Sequence, residues 1–265
     1  MAAEQKQYTL GRGKVYFGRF PEGELNTTEL LYVGNTTEFN LTIETEDLPH
    51  MNADEGIREE DDSVTLEVIR SGSVVTDNMS PDNILLFLMG ERNEVSQASV
   101  SSATETIADA RPGYTYQLGV SLSNPTGYRG VDPTGFGMTV PDTPTPIPLV
   151  AGVDFEIDFD SGLVTFLATS TLVDGATDVT VTRAIRASTR TQVVSGNTVA
   201  EGKMLFVTKN VKGPDSVLEM PWVKVSPNGD LALKGDDWLS IPLSVKVMKL
   251  PTRPAFIRDG KPVYA

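Results

Sequence analysis

Residues 37–72 constrain the fold of this chain more than any other segment. Both ends of the segment, TEFNLTIETE and SVTLEVIRSG, alternate apolar with polar side chains. A period of two is typical of β-strands that bury one face. The alternation therefore predicts a two-stranded hairpin whose buried face comprises Phe39, Leu41, Ile43, Val64, Leu66 and Val68. The opposite face is polar and partly acidic, and its members are Glu38, Asn40, Thr42, Glu44, Thr65 and Glu67.

Residues 46–62 separate the two strands of this hairpin. The segment is too long for a tight turn and too polar to pack on itself, and loops of this length are usually functional or disordered. We expect a loop that is mobile in the isolated chain and becomes ordered on a partner outside the subunit. Its candidate contact residues are Glu46, Asp47, Pro49, His50, Asp54, Glu55, Arg58, Glu59, Glu60, Asp61 and Asp62.

The charge of the chain is distributed unevenly. Residues 1–110 hold 21 acidic and 7 basic side chains, whereas residues 111–265 hold 15 of each. Because binding of duplex DNA requires clustered Lys and Arg, this balance excludes binding by phosphate neutralisation. Six lysines near the C-terminal end are candidate partners for the acidic loop of another copy: Lys209, Lys212, Lys224, Lys234, Lys246 and Lys249.

Composition indicates a mainly β protein. Val, Thr and Gly are frequent and there are 17 prolines, which favours strands and turns. The absence of cysteine excludes disulfides and thiolate chemistry. The N-terminal residues have no apolar core of signal-peptide length, and the longest aliphatic run, residues 84–89, is too short to cross a bilayer. We therefore expect a chain that is soluble, or assembled into something soluble, and that does not insert into membranes.

One helix is predicted, in the sequence SPDNILLFLMG. Ser80 fits the N-cap, Pro81 the first helical position and Gly90 the C-terminal stop. The packing face of this helix is predicted to comprise Ile84, Leu85, Phe87 and Leu88.

The sequence predicts that residues 111–186 form a small β subdomain, either inserted in the main sheet or continuous with it. This segment includes VDFEIDFDSGLVTFLA, which predicts a hairpin with its turn at residues 160–162. Four prolines in residues 141–148 indicate an extended linker and a domain edge. Beyond residue 186, strands follow one another at the spacing of an all-β sandwich or barrel.

The side chains that could act in catalysis or bind a metal do not form a recognisable site in the sequence. The single histidine, His50, lies in the acidic loop, which does not hold an imidazole in place for a catalytic triad. The alternating acids of residues 154–160 resemble a calcium loop, but Phe159 and Thr165 stand where that motif requires Gly and Glu. We expect no enzymatic activity, no metal site and no cofactor.

Several segments together resemble the tail tube (major tail) proteins of long-tailed bacteriophages. They are YVGNTTEFNLTIETEDL, GIREEDDSVTLEVIRSG, SPDNILLFLMG, KMLFVTKN and PWVKVSPNGDLALKGDDW, which lie towards both ends of the chain. The resemblance implies a single tail-tube domain over residues 1–265, built as a β-sandwich or barrel with one flanking helix. It also implies that six copies form a ring and that rings stack into a tube. Residues 111–186 then either decorate the outside of the tube or help to build its wall.

The resemblance further implies a structural virion protein of the phage tail, assembled in the cytoplasm of the bacterial host. Its partners would be other copies of itself and tape measure, tail terminator and baseplate or tip proteins. The polar face of the hairpin would line the channel, where carboxylates repel phosphate and DNA passes without specific binding. The loop of residues 46–62 would contact the next ring.

An alternative is a standalone β-sandwich adhesin or carbohydrate-binding module. The turns of residues 123–137, with Tyr128 and Phe136, would supply its binding surface.

Overall fold

The computed structural model describes residues 8–54, 56–142, 144–171, 173–260 and 262. The chain is mainly β, as the composition predicted, with one α-helix among the described residues. It divides into two compact units. Unit 1 comprises the described residues up to Asn93 and from Val193 onward, and unit 2 comprises Glu94–Gln192.

The elements are numbered in chain order. They are β1 (Gly13–Arg19), β2 (Leu31–Tyr32), β3 (Thr36–Asn52), β4 (Glu59–Thr76), α1 (Pro81–Leu88), β5 (Glu91–Gln97), β6 (Val100–Ala110), β7 (Thr115–Gln117), β8 (Val131–Val140), β9 (Ile147–Pro148), β10 (Phe155–Asp158), β11 (Leu163–Phe166), β12 (Thr177–Ile185), β13 (Ser188–Val194), β14 (Ala200–Thr208), β15 (Ser216–Pro227), β16 (Ile241–Val247) and β17 (Ile257–Gly260).

One antiparallel sheet forms the framework of unit 1. Its strand order is β2-β1-β14-β15-β16-β4-β3, and β17 pairs with the first residues of β15. Alternate side chains of the central strands, among them Val223, Val225 and Val245, are fully buried, as expected where one face of a sheet covers the core. The chain leaves unit 1 within β5 and returns within β13, and these two strands pair with each other.

Helix α1 begins as the sequence predicts and ends differently. The Ser80 hydroxyl accepts a hydrogen bond from the backbone N–H of Asn83 at 3.3 Å, and Pro81 is the first helical residue. The left-handed residue at the C-terminal end is Met89, with φ of 49°, rather than Gly90. A Cβ at Gly90 would lie 1.7 Å from the carbonyl oxygen of Val194. Glycine is therefore required there for close approach of two backbones.

The packing face of α1 also differs from the predicted one. Of the four predicted residues, Ile84 and Phe87 pack against the core of unit 1, whereas Leu85 and Leu88 are half-buried outside that cluster. The leucine that enters the core is Leu86. A continuous apolar run of this length does not reveal which side faces the sheet, since almost every rotation of the helix offers apolar residues.

A buried asparagine anchors the helix. The amide Nδ2 of Asn83 donates hydrogen bonds to the carbonyl oxygens of Val33 at 2.7 Å and Asn78 at 2.8 Å. A buried amide costs free energy unless its hydrogen bonds are made. Asn83 thus fixes the position of the short helix.

Unit 2 contains two antiparallel sheets around its own core. Their strand orders are β6-β12-β8-β9 and β10-β11-β7. The predicted hairpin is confirmed as β10 and β11, and its turn requires Gly162, whose φ is 69°. Unit 2 contains the predicted subdomain of residues 111–186 and extends beyond both of its ends.

The proline-rich segment of residues 141–148 is not a domain edge. It lies inside unit 2, where Ile147–Pro148 pairs with the end of β8 as an edge strand. Edge strands tolerate proline because one side of the strand needs no hydrogen-bond donor.

A buried arginine, Arg183, forms an ion pair with the partly exposed Glu105 between β6 and β12 in unit 2. Arg183 Nη2 lies 2.9 Å from Glu105 Oε2, and the guanidinium lies 5.0 Å from the ring centre of Tyr128. The same carboxylate accepts a hydrogen bond from the N–H of Gly119 at 2.9 Å. Arg183 Nε and Nη1 have no hydrogen-bond partner among the described residues.

Candidate functional site

The outer parts of β3 and β4 project from unit 1 as a two-stranded ribbon. The last pair between β4 and β16 is Ser71 with Lys246, and beyond it β4 pairs only with β3. We define the ribbon as residues 40–52 of β3 and residues 59–72 of β4. Nearly all of its side chains are exposed. β3 is also the last strand of the sheet, so no strand among the described residues pairs with its outer edge.

One face of the ribbon continues the core of unit 1. The register pairs Leu41 with Gly72, Ile43 with Arg70 and Thr45 with Val68. Residues that lie opposite each other on two antiparallel strands share a face, so these six residues lie on one face. The preceding pair on that face, Phe39 with Val74, packs within or against the core. An apolar stripe of Leu41, Ile43 and Val68 therefore extends outward from the core.

The sequence predicted that this apolar stripe is buried, and in the single chain that prediction is wrong. Leu41, Ile43 and Val68 are exposed, and so are Val64 and Leu66, which the sequence also assigned to the buried face. The physical reason is that Ile43 and Val68 lie beyond the last pair between β4 and β16, where no third strand of the described residues flanks the ribbon. Leu41 lies at the boundary, opposite Gly72, which still pairs with Val245.

The opposite face of the ribbon is acidic. Glu38, Asn40, Thr42 and Glu44 share this face, as predicted from their alternation. The next pair on the same face is Glu46 with Glu67. Like charges directly opposite each other destabilise a strand pair. The fold thus retains an acidic pair in spite of its local electrostatic cost.

A register shift removes Thr65 from this acidic face. The ladder passes from Glu46 opposite Glu67 to Asp47 opposite Thr65, so β4 contributes one residue more than β3. Such an irregularity exchanges the faces of one strand beyond that point. Thr65 therefore follows the register of Asp47, on the other face from Glu67. Alternation in the sequence of β4 gives no sign of this shift.

The predicted 17-residue loop is largely a paired extension of the ribbon. β3 continues to Asn52 and β4 begins at Glu59, which leaves residues 53–58 as the tip. In the single chain the cross-strand pairing of β3 and β4 already reaches Asn52 and Glu59. Glu46, Asp47, Pro49 and His50 belong to β3, Glu59, Glu60, Asp61 and Asp62 belong to β4, and Asp54 and Arg58 lie in the tip, while Glu55 is outside the described residues.

The histidine of the ribbon is engaged with a neighbouring carboxylate. His50 Nδ1 lies 2.5 Å from Asp61 Oδ1, and both side chains are exposed. His50 pairs with Asp62 in the ladder, and Asp61 lies at the register shift that follows this pair. This contact links the two strands near the tip.

The acids of residues 154–160 do not converge on one point. Asp154 is buried and accepts hydrogen bonds from the hydroxyl of Ser170 at 2.7 Å and the N–H of Val150 at 2.9 Å. Asp158 closes the β10–β11 turn through Ser161, whose hydroxyl holds the pKa of that carboxyl below its usual value. Among the described residues no group of His, Asp and Glu is arranged to hold a metal ion.

The predicted lysine partners occupy different environments. Lys224 Nζ lies 2.7 Å from Glu201 Oε1 and is thereby neutralised within unit 1. Lys209 and Lys212 are exposed in the turn between β14 and β15.

In the part of the chain that the structure describes, no helix is long and apolar enough to span a membrane.

Comparison with known proteins places the chain in a family. No curated protein matches the sequence. A family model described as "Protein of unknown function UCP028589" matches residues 8–258. Because this match covers nearly the whole chain, the protein belongs to the UCP028589 family of proteins of unknown function.

Proposed function

We propose that this protein is a structural subunit of a tail tube of the kind found in long-tailed bacteriophages. In this proposal six copies close into a ring, rings stack into a tube, and the tube conducts DNA in the virion. The chain has no enzymatic activity. Its partners are other copies of itself and the tape measure, tail terminator and baseplate or tip proteins of the tail.

The observation that carries the proposal is the projecting ribbon. Its apolar stripe, Leu41, Ile43 and Val68, continues the core of unit 1 but is exposed in the single chain. Exposed apolar surface that extends a core is typical of a face covered by a partner. The open edge of β3 offers unpaired backbone groups to the same partner. A neighbouring copy that pairs with this edge and covers the stripe would extend the sheet from subunit to subunit.

The acidic face of the ribbon supports the channel. Glu38, Glu44, Glu46 and Glu67 lie on the side opposite the apolar stripe. If the stripe is covered by neighbouring subunits, these carboxylates face away from the core, towards the channel. There they repel phosphate, so that DNA slides without binding. This explains why the fold keeps Glu46 and Glu67 directly opposite each other.

Electron microscopy of the purified protein at rising concentration tests the assembly. We expect six-fold rings and tubes above a critical concentration. A protein that remains monomeric at every concentration would contradict the proposal.

Charge reversal tests the channel. In a phage whose tail contains this protein, the triple variant Glu38→Lys, Glu44→Lys and Glu67→Lys should still form tails, and DNA ejection should slow or stop. A control with the same charge change on exposed residues of unit 2, at Glu94, Glu156 and Asp160, should eject normally. Normal ejection by the first variant would refute the channel assignment.

The outer ribbon is proposed to contact the next ring. Deletion of residues 49–60 removes the tip and the His50–Asp61 contact but keeps the stripe and the acidic face. We expect this variant to form rings that do not stack. Tubes of normal length would show that the outer ribbon has another role.

The alternative adhesin or carbohydrate-binding surface is not supported by the side chains that would form it. Phe136 packs against Phe159, with ring centres 5.5 Å apart, and against the core of unit 2. Tyr128 lies over the guanidinium of Arg183. The turns therefore offer at most one ring outside that core, that of the partly exposed Tyr128, which lines an open cavity of about 300 Å³ in unit 2.

A further inference from the structure

The two ends of the β1–β14 strand pair in unit 1 carry opposite charge. Where β1 ends, residues 19–25 together with Glu91, residues 198–199 and Glu201 line an open cavity of about 720 Å³. Four glutamates line it, against a single arginine, Arg19. The acidic residues of this cavity are Glu22, Glu24, Glu91 and Glu201.

Three of these carboxylates are free to bind a cation from outside. Glu201 already contacts Lys224 Nζ and accepts a hydrogen bond from Trp222 Nε1 at 3.0 Å. Glu22, Glu24 and Glu91 are exposed, and none forms an ion pair with another described residue. The cavity also has an apolar part, because Leu25 is 51% exposed and Val199 is 36% exposed.

The opposite end of the same strand pair is basic. Here the turn between β14 and β15 brings Lys209 and Lys212 together with Arg12, which precedes β1. Val211, between the two lysines, is 71% exposed. The end therefore presents an apolar side chain flanked by cations, which matches a cavity with apolar and acidic lining.

This basic turn is held in a fixed shape. The N–H of Lys209 donates to the carbonyl of Arg12 at 2.7 Å, and the N–H of Val211 donates to the carbonyl of Leu10 at 3.2 Å. The Asp215 carboxylate accepts a hydrogen bond from the N–H of Asn210 at 2.6 Å. A segment that is already ordered loses little entropy when it binds.

We propose that the turn of residues 209–213 in one copy enters the acidic cavity of a second copy. β1 is seven residues long, so the turn and the cavity lie roughly 20 Å apart along the strand and one copy cannot fill its own cavity. The contact is therefore head-to-tail. Repetition of a head-to-tail contact produces a ring if the rotation closes and a continuous stack if it does not.

This inference rests on the proposed self-assembly and adds the contact that orients one copy on the next. Complementary charge fixes orientation because the reverse arrangement places like charges together. The acidic cavity excludes the acidic ribbon of another copy and accepts its basic turn. Attraction of this kind weakens as salt screens it.

Charge exchange tests the contact. The cavity variant carries Glu22→Lys and Glu24→Lys, the turn variant carries Lys209→Glu and Lys212→Glu, and a third variant combines all four. All four side chains are exposed, so each variant should fold, which circular dichroism and thermal unfolding verify. A matched control carries Glu94→Lys and Glu156→Lys, with the same charge change as the cavity variant.

Sedimentation velocity and electron microscopy provide the readout. We expect the cavity variant and the turn variant each to need at least tenfold more protein to associate, and the control to behave as wild type. The combined variant, and an equimolar mixture of the two single-site variants, should associate near the wild-type concentration. Unchanged association of both single-site variants, or no recovery in the combination and the mixture, would overturn the inference.

The charge variants also test the contact if the tail tube proposal itself fails. If wild type forms neither rings nor tubes, the mixture is still compared with each variant alone for pairwise association. Pairing in the mixture and in neither variant alone supports the head-to-tail contact without a tube. No pairing in the mixture overturns it.

Discussion

Replacing the apolar stripe with threonine should abolish assembly at concentrations where wild type assembles, and leave the subunit folded. The variant carries Leu41→Thr, Ile43→Thr and Val68→Thr. Threonine is β-branched and therefore suits a strand. About half of the surface of these side chains is already covered in the single chain, so the replacement also lowers the stability of the free subunit, and urea unfolding measures that loss separately.

The magnitude follows from the surface that a neighbour would cover. Leu41, Ile43 and Val68 are 39%, 60% and 43% exposed. Full burial of such a side chain contributes about 1.5–3 kcal/mol, so covering the remaining surface contributes at most about 2–4 kcal/mol per copy. Since each 1.4 kcal/mol changes an equilibrium about tenfold, the critical concentration should rise roughly 10- to 1,000-fold.

The assay is pelleting of assemblies over a concentration series, with urea unfolding of the same samples below the critical concentration. A control variant changes three exposed apolar residues elsewhere, Val120, Leu122 and Leu233, to threonine. The control should assemble as wild type does. An unchanged critical concentration for the stripe variant, in a subunit that urea unfolding shows to be folded, would refute the reasoning that this face is covered by a neighbour.

Three further predictions concern the units themselves. Glu105→Ala leaves the buried charge of Arg183 without its partner and should lower the unfolding free energy of unit 2 by up to about 3–5 kcal/mol. Adding Arg183→Met should recover most of that loss, as measured by urea unfolding. Equal losses in both variants would contradict compensation of the arginine by Glu105. Because Lys224 holds the pKa of Glu201 below its usual value, this carboxyl stabilises the fold above its unfolded pKa of about 4.3, and its contribution is lost as the pH falls through the lower, folded pKa. The difference in urea midpoint between wild type and Glu201→Gln should therefore shrink between pH 6 and pH 3, and a difference that stays constant would exclude titration of Glu201 as its source. Asn83→Ala removes two buried hydrogen bonds from α1 and should cost about 1–3 kcal/mol, measured by thermal unfolding, with Asn93→Ala at an exposed position as a neutral control.

Local patterns in the sequence predicted the elements that depend on local rules. The period of two identified β3, β4 and the β10–β11 hairpin, because alternation reports directly on the two faces of a strand. Ser80 and Pro81 identified the start of α1, because an N-cap acts within one helical turn. These features need no information about distant residues.

The sequence could not predict features that depend on distant partners. Nothing in residues 46–62 shows that they pair as strands, since acidic side chains depress strand propensity and only the register with the opposite strand reveals the ladder. The shift that separates Thr65 from Glu67 is likewise a property of two strands together. The requirement for glycine at position 90 comes from Val194, more than 100 residues away.

The candidate site likewise has parts that the sequence predicted and parts that it could not predict. Alternation predicted which residues share the acidic face at Glu38 and Glu44, and the structure extends that face to Glu46. Sequence reasoning missed the acidic cavity and the basic turn, because strands β1 and β14 lie about 180 residues apart in the chain. A cluster of glutamates from residues 22, 24, 91 and 201 exists only after these strands pair.

The pairing of β5 with β13 makes unit 2 exchangeable. Neighbouring strands in a sheet lie about 4.8 Å apart, so the chain enters and leaves unit 2 at adjacent points, and a short turn or any domain with closely spaced ends can bridge the same gap. The sheet order of unit 1 does not depend on what is inserted there. Unit 1 of this chain therefore contains a grafting point, at which we expect a foreign domain with closely spaced ends to be accepted.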